Sequence, residues 1–426
     1  MDKIVMYGPD AKQGDVSKWR VLASTSLGHF TNDGTIFFVP LIVDLLAVAY
    51  NVSTILTTAA LVLFYASTAL AANILAPFID RRGLHVKGMF LGILTVSIGL
   101  LLFSVALDGI LVPLFLLVSA TVTGIGASLY HPTGSSILQT YFRGDSHLGW
   151  YLGLNGSAGS LGRALYPSLF ALVGIALASN AHSIEFFGAL GVAFSILIFY
   201  GMRDHTGAGG AMSDGGQKRV DPMGDGVSTR TRAITAGVAL LAIISFIRSF
   251  AFFGIISWLP EYLSFERGIG TASLAGILTL MFAGGIFGQL FFGKLVEDHD
   301  KRYLLAGSTA VSALLLFLYF STSGLMSLVA LALFGFVNFS GFPIFMSMIS
   351  DYAPKGSTTS SNAFVWNLGG GGGQAVGPLL VGLMIAGTYA NLPLAFEISL
   401  AAAFVSALMA LKLPRPAKLS KVSLFG

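Results

Sequence analysis

Long apolar segments, separated by short polar turns, repeat along the whole chain. A helix needs about 20 mainly apolar residues to cross a bilayer, and twelve segments reach that length. The segments are residues 19–46, 53–78, 86–107, 110–140, 147–178, 183–202, 233–263, 271–296, 302–321, 325–351, 357–387 and 392–413. This pattern predicts an all-α integral membrane protein with twelve transmembrane helices.

One polar region divides the series into two groups of six. Residues 203–232 are rich in glycine and carry charges of both signs, so we interpret them as a largely disordered linker. The predicted domains are therefore an N-terminal six-helix bundle at 1–202 and a C-terminal six-helix bundle at 233–426.

The two groups carry traces of an internal repeat. Pro132 and Pro167 are 35 residues apart, as are Pro343 and Pro378, and a charged turn and a run of glycines lie between the members of each pair. An internal duplication of an apolar unit is typical of secondary transporters. The repeat predicts two pseudo-symmetric bundles.

The composition excludes several functional classes. A soluble domain carries about 25% charged residues, whereas this chain has 10% charged and 54% hydrophobic residues. Cysteine is absent, which excludes disulfides, thiolate metal sites and cysteine nucleophiles. The chain also lacks a Gly-x-x-x-x-Gly-Lys-Ser/Thr phosphate loop, a His-Glu-x-x-His zinc pair and a Gly-x-Ser-x-Gly elbow. We expect neither an enzyme nor an ATP-driven pump, and no cofactor or bound metal.

The positive charges are placed asymmetrically. Most of the 24 lysine and arginine residues lie at the termini, in the linker and in the turns after even-numbered segments. All of these positions share one side of a twelve-helix protein, here named the positive side. Because lysine and arginine favour the cytoplasm, we expect both termini to be cytoplasmic in a monomer of the plasma membrane. The same bias explains the net charge of +4 without a nucleic-acid partner.

Ionisable residues inside apolar segments are costly, and each is a functional candidate. Asp33 and His29 lie one helical turn apart in the first segment, and His131 lies in the fourth. The rise of 1.5 Å per residue places Asp33 near the bilayer midplane. We predict that these three residues couple transport to protons. The alternatives are a permanently salt-bridged Asp33 and histidines that only form structural hydrogen bonds.

Two arginines share the predicted midplane with Asp33. Arg163 and Arg248 remain charged in proteins, so one positive charge has no carboxylate to pair with, and an anionic substrate would supply the missing charge. Arg248 could instead form a structural pair. Arg163 could pair with Asp33 or tie its helix to the eighth segment beside the glycines at 153, 156, 159 and 162. The predicted substrate-binding residues are Arg248, Arg163, Asn32 and Gln374.

Two turns on the positive side place acids beside basic residues at a helix end. Such a turn can hold one helix end against its neighbour, although it could also be an ordinary solvated turn. We predict that both turns gate the cytoplasmic side. Their residues are Asp80, Arg81 and Gly83 after the second segment, and Glu297, Asp298 and Arg302 after the eighth.

The turn Asp80-Arg81-x-Gly83 resembles the intracellular signature of the major facilitator superfamily. Gly153, Gly162 and Tyr166-Pro167 resemble the antiporter motif of that family's fifth span. This resemblance implies two six-helix bundles that rock about a central site, with spans one and four facing the cavity.

Three further motifs resemble the fosmidomycin-resistance group of drug exporters. They are Leu27-Gly-His29-Phe-Thr-Asn32-Asp33, Tyr130-His131-Pro132 and Phe246-Ile-Arg248. The resemblance implies a proton-coupled exporter of a small organic solute or drug, and the charge count favours an anionic one. The alternatives are an uptake symporter or facilitator for a small organic anion, and a non-transporting membrane receptor.

The predicted topology can be tested because the chain has no native cysteine. Ser213→Cys and Thr358→Cys should react with an impermeant maleimide only from the cytoplasm, and Asn51→Cys and Gly324→Cys only from outside. Labelling of positions 51 and 213 from the same side would contradict the six-plus-six arrangement.

Overall fold

The computed structural model describes residues 18–142, 145, 147–203, 235–354, 358–385 and 389–415. The predicted linker therefore lies outside the described residues, except for Arg203. Within the described part, twelve helices are long and apolar enough to cross a membrane. They are α1 (Lys18–Tyr50), α2 (Thr54–Arg82), α3 (His85–Leu107), α4 (Val112–Tyr141), α5 (Leu148–Leu177), α6 (Asn180–Met202), α7 (Ala236–Glu261), α8 (Thr271–Asp298), α9 (Lys301–Ser321), α10 (Gly324–Asn338 and Gly341–Tyr352), α11 (Thr358–Asn362, a π-helical stretch Ala363–Gly371, and Gly372–Ile385) and α12 (Leu392–Ala410).

The predicted all-α, twelve-helix architecture is confirmed, and the predicted segments match the helices in number and order. Large apolar side chains cover the outer surface of the bundle: Ile55, Ile175 and Leu325 are 84%, 80% and 78% exposed. Surface apolar residues on this scale are stable only in a hydrocarbon environment. The chain is a multi-pass membrane protein.

The two halves are pseudo-symmetric. α5 packs against α1 in its own half and against α8 in the other, while α11 packs against α7 in its own half and against α2 in the other. Glycines make these close contacts possible, since a Cβ on Gly162 would lie 2.1 Å from the Phe30 carbonyl oxygen, and one on Gly373 would lie 2.1 Å from that of Phe246. The internal repeat in the sequence thus corresponds to equivalent helix crossings.

The glycine spacing in α5 explains how one helix contacts two neighbours. Steps of three residues fall about 60° short of a full turn, so the glycine file moves around the helix surface. Gly153 faces the backbone of α8 and Gly156 faces the Gln289 side chain, whereas Gly159 faces the His29 ring of α1. The glycine file therefore contacts α8 near the positive side and α1 near the midplane.

α10 contains a break that the hydrophobic pattern does not show. In an unbroken helix the amide of residue 343 would bond to the Phe339 carbonyl, but Pro343 has no amide hydrogen. Gln289 of α8 donates its Nε2 to this free carbonyl. The carbonyl of Asn338 accepts a hydrogen bond from Arg248 Nη2 of α7 at 2.7 Å. Polar side chains from two neighbouring helices thus replace the missing backbone bonds.

Candidate functional site

A cavity lies between the two halves and is lined by residues of both. Its polar wall is concentrated around Asp33 and Arg248, and its apolar wall is mainly aromatic. The lining includes His29, Asp33, His131, Arg163, Arg248, Asn338, Asn367 and Gln374, together with Ile36, Phe37, Phe253, Phe339, Phe342, Phe345 and Trp366.

Asp33 is the centre of the polar contacts. Its carboxylate is buried, and Oδ2 accepts a hydrogen bond from Arg163 Nη1 at 3.1 Å and contacts His29 Nε2 at 3.2 Å. Oδ1 contacts His131 Nε2 at 3.1 Å and accepts from Asn32 Nδ2 at 3.2 Å. The structure therefore brings together the three residues predicted to couple protons. Asn32 lies behind Asp33 and orients it from outside the cavity lining.

A chain of hydrogen bonds holds the His29 ring in place. The Tyr130 hydroxyl donates to the Thr25 carbonyl at 2.8 Å, so it accepts from Asn155 Nδ2. The Asn155 side-chain oxygen lies 2.8 Å from His29 Nδ1. Nε2 faces the acceptor-only carboxylate of Asp33. Both ring nitrogens of His29 are therefore engaged, Nδ1 by Asn155 and Nε2 by Asp33.

His131 differs from His29 in having one free ring nitrogen. A proton on Nε2 satisfies the contact with Asp33, but Nδ1 is buried and has no hydrogen-bond partner among the described residues. The ring packs against Trp366 and Phe342, with centroids 5.2 Å and 5.9 Å away. His131 can therefore accept a further proton at Nδ1 without breaking its contact with Asp33.

Arg163 pairs with Asp33, which decides between the two alternatives that the sequence leaves open. Its guanidinium also donates to Ser160 Oγ at 2.6 Å. The rings of Phe37 and Phe339 lie 5.1 Å and 4.5 Å from its central carbon, where their π faces stabilise a cation. Among the described residues, Arg163 makes no hydrogen bond to α8, which α5 contacts through its glycines and through Ser157 and Ser168.

Arg248 lies on the opposite half and has a different environment. It donates through Nε to Thr309 Oγ1 at 3.2 Å, and through Nη2 to the carbonyl and side-chain oxygens of Asn338. All of these partners are neutral, and no aspartate or glutamate in the described ranges forms an ion pair with it. Its positive charge is therefore uncompensated beside the cavity.

Four further polar or aromatic residues shape the site and were not identified from the sequence: Gln289, Asn338, Asn367 and Trp366. Asn367 donates to the carbonyls of Thr68 and Ser128, which joins α11 to α2 and α4. The three amides could have been identified as polar residues in apolar segments. Trp366 carries no such signal. The predicted residue Gln374 does line the cavity. In the internal repeat of the sequence, Gln374 corresponds to Arg163.

The cluster of His29, Asp33 and His131 could in principle hold a metal ion, since their ligand atoms lie within 4.8 Å of one another. The Arg163 guanidinium, however, occupies the same carboxylate. Arg248 adds a second positive charge to the cavity wall, and like charges in a low-dielectric site repel strongly. The cluster is therefore poorly suited to holding a metal cation.

A sequence model described as Major Facilitator Superfamily matches residues 25–373. The chain belongs to this superfamily. The crystal structure of the human organic anion transporter MFSD10 (TETRAN) is similar, with a TM-score of 0.65 and 16% identity over 92% of this chain and 99% of that chain. At this identity the likeness concerns the fold. A search of curated proteins by sequence finds no match.

Two acids of the predicted gating turns make contacts between the two halves at the positive side. Glu297, at the end of α8, accepts from the Trp150 amide in the first turn of α5 at 2.9 Å. Asp80, near the end of α2, accepts from Ser360 in the first turns of α11 at 2.9 Å and contacts His85 at 3.1 Å. Each acid lies at the positive end of a helix dipole in the other half.

The remaining residues predicted to gate are placed differently. Gly83 caps α2 with φ +62°, a left-handed conformation that a side chain disfavours. Arg81 and Asp298 are exposed. Arg302 bonds to Asp300 and to the Leu413 carbonyl, both in its own half. Its side-chain hydrogen bonds to Asp300 lower the pKa of that carboxyl. The contacts between halves thus involve Asp80 and Glu297.

Glu297→Ala should open the positive side more often, because it removes a helix cap worth about 1 kcal/mol, which is roughly fivefold in an equilibrium constant. The measurement is the rate at which Ser249→Cys in the cavity wall reacts with an impermeant maleimide from that side. The neighbouring Asp298→Ala is the matched control and should leave the rate unchanged. Equal labelling rates in Glu297→Ala and Asp298→Ala would show that Glu297 does not hold the positive side closed.

Proposed function

We propose that this transporter exports a small organic anion in exchange for protons by alternating access, with its positive side in the cytoplasm of the cell in whose plasma membrane it lies. The observation that carries the proposal is Arg248, a buried cation beside the cavity whose partners in the described residues are all neutral. The motif resemblance to the fosmidomycin-resistance exporters and the fold similarity to MFSD10, an organic anion transporter, support the same substrate class.

The charge balance of the cavity favours an anion. Asp33 is already bound to Arg163 and to both histidines, so it has no capacity left to neutralise Arg248. An uncompensated charge in a low-dielectric cavity is expensive. A carboxylate or phosphonate would supply the counter-ion, and its two oxygens match the planar guanidinium fork.

The apolar wall indicates the rest of the substrate. The rings of Phe37, Phe253, Phe339 and Trp366 contribute to the lining together with Ile36. Apolar surface of this kind holds a ligand through burial, while a few polar groups fix its orientation. The substrate that fits is an amphipathic anion with an aromatic or branched apolar body.

Proton coupling follows from the group around Asp33. A proton that reaches the His29, Asp33 and His131 cluster weakens the hold of Asp33 on Arg163, because a neutral carboxyl attracts a guanidinium less than a carboxylate does. Arg163 can then compete with Arg248 for the anion. Proton binding and anion binding thereby change together, which is the differential interaction that coupling requires.

Alternating access uses the contacts between halves on both sides of the cavity. Glu297 and Asp80 join the halves on the positive side. Tyr65 and Ser257 bond at 3.2 Å, and Ser168 and Thr279 at 2.6 Å, on the opposite side. Rocking the halves would break one set while the other holds, which exposes the cavity to one side at a time.

The charge of the substrate is tested at Arg248. Arg248→Lys should retain weak transport of anions, and Arg248→Ala should lose tenfold to a hundredfold in anion affinity, as expected for hydrogen bonds to a charged group worth about 1.5–3 kcal/mol. Counterflow in proteoliposomes with carboxylate, phosphonate and cationic panels measures this. Arg267→Ala, outside the cavity, is the control. If Arg248→Ala kept anion transport and lost only cation transport, the assignment of Arg248 to anion binding would be wrong.

Coupling is tested at Asp33. Asp33→Asn keeps the size of the side chain but removes the charge that binds Arg163 and the histidines, so a pH gradient should no longer drive transport. Substrate exchange needs no net proton movement and should continue. Both activities can be measured in the same proteoliposomes. Undiminished pH-driven flux would exclude Asp33 from coupling.

A further inference from the structure

Unpartnered polar atoms form a stripe on α4 between the cavity and the positive side. His131, Ser135 and Gln139 follow one another at intervals of four residues, which places them on one face of the helix. His131 Nδ1, Ser135 Oγ and both polar atoms of the Gln139 amide are buried and without a hydrogen-bond partner among the described residues. The three side chains are 6%, 1% and 7% exposed.

A fourth buried polar residue lies on a helix of the other half that packs against α4. The first piece of α11 packs against α4, and its Asn362 is fully buried with both amide atoms unpartnered. Gln139 lies within one turn of the end of α4, and Asn362 lies near the beginning of α11. Both positions are close to the positive side.

Buried polar groups of this number must have partners. Each one left unpaired would cost about 1–3 kcal/mol, and ordered water is the usual partner where several polar atoms converge. By contrast, Thr133 and Ser128 on the same helix donate to their own backbone, at Leu129 and Ile125. Of these five residues of α4, only His131, Ser135 and Gln139 have polar atoms left for water to satisfy.

We propose that Ser135, Gln139 and Asn362 hold a chain of water molecules that conducts protons between His131 and the positive side. This inference rests on the proposed proton coupling and assigns the route by which the proton leaves. The chain ends at His131 Nδ1, the one ring nitrogen of the two cavity histidines that is free to accept a proton. In a proton-driven exporter the proton leaves into the cytoplasm along this route.

The route is separate from the substrate path. A substrate path to the positive side would require the halves to separate at the Glu297 and Asp80 contacts, while a water chain needs only the width of one molecule. The charged groups that face His131 are Asp33 and His29 from α1, Arg163 from α5 and, across the cavity, Arg248 from α7. The described side chains that pack on its ring from α10 and α11 are Phe342 and Trp366, which do not titrate.

Trp366 provides a direct readout, because its ring centroid is 5.2 Å from that of His131 and protonated imidazole quenches indole fluorescence. Trp19, Trp150 and Trp258 are replaced by phenylalanine, so that Trp366 is the sole tryptophan. In oriented proteoliposomes, a pH jump on the positive side should change the emission quickly, and His131→Gln should abolish the change.

Ser135→Ala combined with Gln139→Met should slow that response about tenfold or more, as a barrier raised by one unpaired polar contact predicts. The final amplitude should be unchanged, since a route affects the rate and leaves the equilibrium alone. Asn362→Leu should slow the response in the same way. Ser135→Thr keeps a hydroxyl and should respond at the parent rate. Thr133→Val is the matched control and should respond like the parent protein.

The outcomes separate the route from the proposed coupling. An unslowed response in both Ser135→Ala with Gln139→Met and Asn362→Leu overturns the route and leaves coupling in place. A smaller amplitude at the parent rate shows a purely structural role and also overturns it. No pH response in the parent protein overturns proton exchange at His131 itself, whereas anion counterflow in the Arg248 variants tests the substrate independently.

Discussion

The structure depends on keeping one carboxylate satisfied inside an apolar bundle. Asp33 lies in the middle of α1, where an unpaired charge would be intolerable. Arg163 from α5, His131 from α4 and His29 from its own helix meet that need. Three helices of the N-terminal half are thereby fixed in register by a single side chain. The same group is the part of the protein whose charge can change, so the structural centre and the proposed coupling centre coincide.

The second half satisfies a different constraint, that of a broken backbone. Pro343 frees the Phe339 carbonyl, and the break also leaves the Asn338 carbonyl for a side chain to satisfy. Gln289 and Arg248 take these two acceptors. An arginine used in this way is held in place by neutral groups and keeps its full charge. The break in α10 therefore positions a cation at the cavity without a paired acid, which is the condition for binding an anion.

Much of the fold could be predicted from the sequence because a bilayer imposes a length and a polarity on every crossing segment. The twelve helices follow from that rule, and the rule also identifies His29, Asp33, His131, Arg163 and Arg248 as candidates, all of which the structure places in the lining of one cavity. The ion pair of Arg163 could not be predicted, because it depends on how α5 rotates against α1. Arg81 and Asp298 are charged residues of the predicted gating turns, just as Asp80 and Glu297 are, so the sequence does not distinguish them. The orientation of each helix end leaves Arg81 and Asp298 exposed.

The break in α10 illustrates a second limit of sequence reasoning. Pro343 is visible in the chain, but proline is tolerated inside the other helices, as Pro132 and Pro167 show. Whether a proline bends or interrupts a helix depends on which groups are available to receive the freed carbonyl. Those groups come from α7 and α8, far away in the sequence.

The crossing of α5 and α8 near the positive side is made largely by backbone. A Cβ on Gly293 would lie 3.0 Å from the Cα of Gly153, and one on Gly149 would lie 2.6 Å from the Gly293 carbonyl oxygen. Interlocked side chains resist sliding because each must leave its pocket before the next can be filled. Two smooth backbone surfaces have no such pockets. Where Gly149, Gly153 and Gly293 meet, no interlocked pair of side chains opposes a small shift of α5 along α8.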